Sequence, residues 1–186
     1  MPPESSYLLY WLIVGCETAF WLVLLAGLAA RYLLRRERLS RALLLSLPLV
    51  DILLVAFTAA DLKSGTTATV AHGLATAYVG FTVAFGAVMV RWADQRFAHR
   101  FAGGPTPVRA PDRGWPAVRY EVGLWLRSIV AWIIALIVLI ALIAYVDNDA
   151  ITQPLHQWFR IALGSVFLWF VFGPVWSVVF FRRAAK

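Results

Sequence analysis

Two acidic residues, Glu17 and Asp51, stand inside otherwise apolar stretches of this chain. An ionised carboxylate at the centre of a bilayer costs at least about 2.5–3.5 kcal/mol, so such a group needs a proton, a partner or water. Counted at about 1.5 Å per residue from the ends of their apolar runs, Glu17 lies roughly 15 Å and Asp51 roughly 13 Å below the same surface. Two carboxylates at one depth on sequential antiparallel helices can share a proton, hold a cation or line a water path. The plainer alternative is that each is protonated or hydrogen-bonded to a Ser, Thr or Trp of a neighbouring helix, since no basic residue lies near that depth. Thr58 follows Asp51 by seven residues and shares its helix face, with Asp61 just off it. Glu17, Asp51, Thr58 and Asp61 are therefore the candidate proton or ion site.

That stripe climbs to a polar loop, Asp61-Leu-Lys-Ser-Gly-Thr-Thr-Ala-Thr69, followed by His72 and Thr76. A second polar segment on the same side holds Asp147, Asp149 and His156. Together they predict an outward-facing polar vestibule leading down to Asp51 and Glu17, against the alternative of two solvated loops. His72 and His156 fall at similar depth and, with an acidic neighbour, have the residue types to ligate haem iron or a divalent metal. No HExxH, CxxCH or GxSxG pattern accompanies them. The single cysteine, Cys16, lies in an apolar run and excludes an internal disulfide or a Cys-based zinc site. No metal site, cofactor or catalytic group is expected, and the balance falls against an enzyme.

The elements that must position these residues follow from composition. Of 186 residues, 61% are hydrophobic and 15% charged, with mean hydropathy +0.74. Soluble domains carry about 45–50% apolar and about 25% charged residues, so a cytosolic globule is excluded. Five apolar runs, near residues 7–30, 42–60, 71–90, 124–146 and 161–181, are each long enough to cross roughly 30 Å of hydrocarbon. The acidic N-terminus and the 24-residue first run argue for a retained helix rather than a cleaved signal. The expected architecture is all-α: one polytopic bundle over residues 1–186 with five transmembrane helices and a linker over 91–123.

Charge orients it. Fifteen of the 17 Lys and Arg residues lie after helix one, in the 91–123 linker and the first turn of helix four, or at the C-terminus, against Lys63 and Arg160 on the other side. The positive-inside rule puts the N-terminus out and the C-terminus in, with the linker cytoplasmic. The net charge of +7 therefore reads as a topology signal and as attraction to anionic cytoplasmic-leaflet lipids rather than as a nucleic-acid surface. Arg35, Arg36, Arg38, Arg96, Arg100, Arg182 and Arg183 are the expected lipid contacts.

Helix association in lipid relies on small residues that let backbones approach. Gly73, Ala77, Gly80, Ala84 and Ala87 form one such stripe and predict that helix three is central, whereas helix four, apolar all round, is expected to face lipid. Gly173-Pro174 should kink helix five.

The stretch Pro48-Leu-Val-Asp51-Ile-Leu-Leu, then Asp61-Leu-Lys-Ser-Gly65 through His72-Gly73-Leu-Ala75, Tyr78-Val-Gly80, Phe85-Gly86 and Arg91-Trp92-Ala-Asp94-Gln-Arg-Phe97, resembles the bacterial YmcC-like family of small integral membrane proteins. The resemblance covers about residues 1–105 by sequence and the last two helices by hydropathy alone. It implies a multi-pass protein of the bacterial inner membrane and carries over no catalytic residue, ligand residue or substrate. Three readings stand: an interaction or accessory protein that binds a membrane partner or a second copy; a small proton- or ion-coupled transporter or channel using Glu17 and Asp51; and a haem- or metal-binding redox protein using His72 and His156.

Overall fold

A computed structural model describes the backbone of residues 4–181, and their side chains except those of residues 4–10, 12–14, 16, 17, 20 and 48. Four long helices come first: α1 (Glu4–Tyr32), α2 (Glu37–Lys63), α3 (Val70–Phe101) and α4 (Gly114–Val146). A fifth passage, Asp149–Val179, is built from α5 (Asp149–Thr152), a 3-10 turn (Gln153–His156), α6 (Gln157–Phe170), a π-turn (Val171–Val175) and α7 (Trp176–Val179). In lipid every backbone N–H and C=O must be satisfied within the chain, so long apolar runs become helices. α2, α3, α4 and the fifth passage are each long and apolar enough to cross a membrane, and α1 extends over 29 residues. The chain is an all-α polytopic membrane protein.

Every helix runs past its apolar run. Hydropathy marks only the lipid-immersed part, and the flanking Arg, Glu and Gln residues are good helix formers that carry the helix outward. α3 continues through Arg91 to Phe101, and residues 114–123, expected in the linker, form the first turns of α4. The linker expected over 91–123 is thus reduced to residues 102–113. The stop lies at the glycine pair: Gly103 adopts φ +65°, and the Gly104 N–H returns to Ala98 O at 3.0 Å. In the fifth passage the expected kink at Gly173-Pro174 takes the form of the π-turn. Proline has no N–H to give to the preceding turn, and the wider turn absorbs the gap.

α3 is the hub, touching α1, α2, α4 and the 3-10 turn. Gly73, Ala77 and Gly80 are buried, Ala84 is half-buried and Ala87 is exposed, so the small-residue stripe is packed in one half and open in the other. The expectation for α4 needs correction. Ser128, Ala131, Ala135, Leu139, Leu142 and Val146 form a buried face, while Ile133, Ile137 and Ile140 face outward. Ala131 and Ala135, four residues apart, meet Gly80 of α3, and Trp132 packs edge-on to Phe81 at 5.5 Å. The small residues were present in the α4 sequence but are masked there by the surrounding Ile and Leu.

Candidate functional site

The best-connected polar cluster sits where α2 turns into α3. Asp61, near the end of α2, accepts hydrogen bonds at both oxygens, from His72 Nε2 at 2.9 Å and Thr66 Oγ1 at 3.2 Å. On the other side of the ring, the Thr69 backbone N–H donates to His72 Nδ1 at 3.1 Å, and Thr69 Oγ1 lies 2.9 Å from the same nitrogen. A backbone N–H can only donate, so Nδ1 is the acceptor and the ring proton resides on Nε2, facing Asp61. His72 is fully buried and plays the part that Glu takes in a capping box, reaching back to the N-cap of α3. The corner is tied to the fifth passage by Ala68 N–H to Ile151 O at 3.0 Å and by buried Leu62, Leu155 and Trp158. Trp158 lies so close to Gly73 that no side chain fits there, and its buried Nε1 has no hydrogen-bond partner among the described residues.

Lys63, one of the two basic residues at this end, caps α4. Its Nζ reaches Tyr145 O at 2.9 Å and Val146 O at 3.4 Å and lies 5.1 Å from the Tyr145 ring centroid. A cation on the last carbonyls offsets the negative end of the helix dipole. Lys63→Met is expected to destabilise the fold by about 0.5–1 kcal/mol, with Lys63→Arg close to the parent, in thermal unfolding at low ionic strength.

Asp51 lies mid-helix, 3% exposed, with the Thr82 side chain of α3 as a polar neighbour. Between Asp51 and the Asp61 corner the chain is packed shut by Leu54, Ala71 and Ala75, with Tyr78 against them. The Thr58 hydroxyl donates to Leu54 O at 2.8 Å and the Thr76 hydroxyl to Gly73 O at 2.8 Å, both within their own helices. The outward vestibule therefore does not take the expected form: His72 and Thr76 are buried walls, while Asp147, Asp149 and His156 lie exposed on the surface. Asp51 and Asp61 are not brought together, since ten residues of helix separate them by about 15 Å and Asp61 is committed to His72. The side chain of Glu17 lies outside the described residues.

The redox reading meets a geometric obstacle. Both ring nitrogens of His72 are engaged within the chain, and His156 is exposed with Nδ1 3.3 Å from Gln153 O. Among the described residues no three His, Cys, Asp or Glu side chains converge as ligands.

At the basic end, Asp94 of α3 joins α1 by accepting from Tyr32 Oη at 3.0 Å and Arg31 Nη1 at 3.4 Å. Arg35, Arg36, Arg38, Arg96 and Arg100 are exposed, with Arg96 stacked 3.9 Å above the Trp92 ring. Arg182 and Arg183 lie outside the described residues. Above this end, α2 and α3 part to leave a cleft of about 540 Å³ walled by Leu44, Leu47, Val83 and Val90, floored by Gly86 and Ala87, with Arg91 at its mouth and Thr82 in its lining. A smaller cleft of about 270 Å³ reaches Thr82 from beside Trp21 and Trp169.

Two residues of this basic-end half carried no weight in the sequence reading. Thr82 is a single hydroxyl in an apolar run, and only the packing of α3 against α2 brings it near Asp51. Glu121 was placed in a linker, whereas the structure puts it two turns inside α4.

No family model matches the chain, and no solved structure matches it. It is 36% identical over 146 residues to a curated protein named "Uncharacterized membrane protein YmcC" from Bacillus subtilis (strain 168), a match spanning 78% of each chain. With that similarity running through the buried Asp51 helix, the Asp61–His72 corner and the helix-three stripe, the chain belongs to the YmcC-like family of membrane proteins.

Proposed function

We propose that the protein is an accessory protein of a bacterial inner membrane, with its N-terminus out and its C-terminus in, that receives a transmembrane helix of a partner membrane protein in the cleft between α2 and α3. The observation that carries this reading is the divided small-residue stripe. Gly73, Ala77 and Gly80 are consumed by Trp158 and α4, whereas Gly86 and Ala87 line an open cleft. Small residues at an open helix face allow the close backbone approach on which helix association in lipid depends. The exposed arginines at the same end support contact with anionic cytoplasmic-leaflet lipids and the stated orientation.

The test is cross-linking in native membranes from a Cys16→Ser background carrying a single cysteine at Val83 or Ala87. One recurrent partner, identified by mass spectrometry and lost on Gly86→Leu, is expected. Among the described residues a Cβ at Gly86 meets nothing closer than Thr82 Cγ2 at 3.8 Å, so a side chain there has room at its root to project into the cleft. No adduct, an adduct indifferent to Gly86→Leu, or an adduct with a second copy alone overturns the reading.

A second reading is favoured by Asp51. A carboxyl group 3% exposed at mid-helix is a functional candidate by default, and the neighbouring Thr82 lines both clefts. This supports proton- or ion-coupled movement with access to Asp51 from the basic side. Asp51→Asn is then expected to abolish flux in proteoliposomes while leaving the unfolding midpoint in place; flux equal to that of the parent rejects it.

A further inference from the structure

Beside the π-turn of the fifth passage, α4 presents a carboxylate that no other described residue pairs with. Glu121 lies two turns into α4, and its Oε2 would be 3.2 Å from a Cβ on Gly173. The missing side chain at Gly173 is what gives the carboxylate its room against the turn. Among the described residues Glu121 makes no hydrogen bond or ion pair. The Arg113 guanidinium nearby is already turned to Asp112, 3.8 Å from Nε to Oδ2, and the Ser177 hydroxyl is committed to Pro174 O at 2.8 Å.

Two cavities meet at this carboxylate. One, of about 450 Å³, has a mixed polar and apolar lining and lies between the start of α4 at Arg113 and Gly114 and the side chains of Trp176 and Phe180. The other, of about 390 Å³, is an apolar cleft along the fifth passage lined by Leu168, Trp169 and Phe172. Glu121 lines both. A negative charge at the junction of a mixed-lining cavity and an apolar cleft, flanked by indole rings, matches a ligand with a cationic head and an apolar body. The carboxylate receives the head through charge-assisted hydrogen bonds, the indoles add cation–π attraction, and the cleft buries the alkyl part.

We propose that this junction is a binding site for amphipathic amines, with the ammonium on Glu121 and the alkyl chain against Leu168, Trp169 and Phe172. The ammonium can be free or carried by a lipid headgroup, and the test separates the two sources. The full chain in phosphatidylcholine nanodiscs is titrated with octylammonium, read by intrinsic tryptophan fluorescence and by the unfolding midpoint.

Saturable quenching and a raised midpoint are expected, with methylammonium binding at least tenfold more weakly and octanol not competing. Glu121→Gln is expected to weaken octylammonium at least tenfold in the same lipid. Phe172, exposed on the outer side of the cleft, provides a variant independent of folding: Phe172→Ala is expected to weaken octylammonium severalfold and leave methylammonium unchanged. Competition by phosphatidylethanolamine added to the bilayer assigns the head to a lipid, and its failure to compete assigns it to a free amine. Octylammonium binding that is equal in the parent and Glu121→Gln, or matched by octanol, overturns the proposal.

Discussion

Replacing Gly80 with alanine is expected to cost about 3 kcal/mol, at the upper end of what overpacking a well-filled interface typically costs. The added methyl would be driven onto the Ala131 carbonyl of α4, with the Ala135 backbone N and Cβ 2.9 Å away. These are backbone atoms of a rigid helix, so no rotamer change relieves the contact and α3 and α4 must move apart. That separation would loosen the packing of Phe81 on Trp132 and of Trp132 on Trp158, 6.3 Å apart between centroids, which ties the fifth passage to the hub. Gly86→Ala is the matched control: its nearest contact of 3.8 Å is ordinary van der Waals distance, and the variant should unfold with the parent. Reversible unfolding in mixed micelles reads both. A Gly80→Ala protein as stable as Gly86→Ala would mean that the two helices are not in backbone contact.

Asp61→Ala is expected to be comparably severe, at about 2–3 kcal/mol. It strands the Nε2–H of a fully buried imidazole, and an unsatisfied buried donor costs roughly 1–3 kcal/mol. Rotating the ring does not rescue it, because Nδ1 is held by the Thr69 N–H at the start of α3. Asp61→Asn keeps an acceptor opposite Nε2 and should lose about 1 kcal/mol, the share owed to the charge-assisted bond. His72→Ala removes the donor but also breaks the N-cap of α3 and leaves a hole where the fully buried ring stood. A double-mutant cycle between Asp61→Ala and His72→Ala should therefore show coupling of about 2 kcal/mol, measured by the same unfolding assay. Additive losses would place the two side chains apart.

The sequence made the class of fold legible because a bilayer imposes a length on every passage and allows only helices there. Hydropathy reports immersion rather than helicity, which is why Glu37–Arg41, Arg91–Phe101 and Gly114–Gly123 extended the helices beyond their apolar runs. Which half of the α3 stripe would be filled was not legible. Gly80 and Gly86 look alike in one dimension, and only the placement of α4 and Trp158 distinguishes them.

The same limit applies to the polar residues. The Asp51, Thr58, Asp61 register was readable, but the Thr58 and Thr76 hydroxyls turn back to carbonyls of the preceding helical turn, Leu54 O and Gly73 O. Asp61 finds His72 eleven residues away across a turn whose geometry the spacing alone does not specify. Glu121 escaped because four prolines between residues 105 and 116 read as linker and drew the start of α4 too late. The family resemblance rested on residues 48–97, and the similarity to the Bacillus subtilis protein extends over 146 residues.

The half of α3 at the basic end is open among the described residues, and the proposed partner helix would cover it in the membrane. A nitroxide at Ala87, in the Cys16→Ser background, tests it through oxygen accessibility in native membrane vesicles compared with the purified protein in nanodiscs. The label is expected to be immobilised and shielded from oxygen in the native vesicles and mobile and oxygen-accessible after purification, while a label at exposed Ile137 of α4 is equally accessible in both. Equal accessibility at Ala87 in the two preparations would contradict the account.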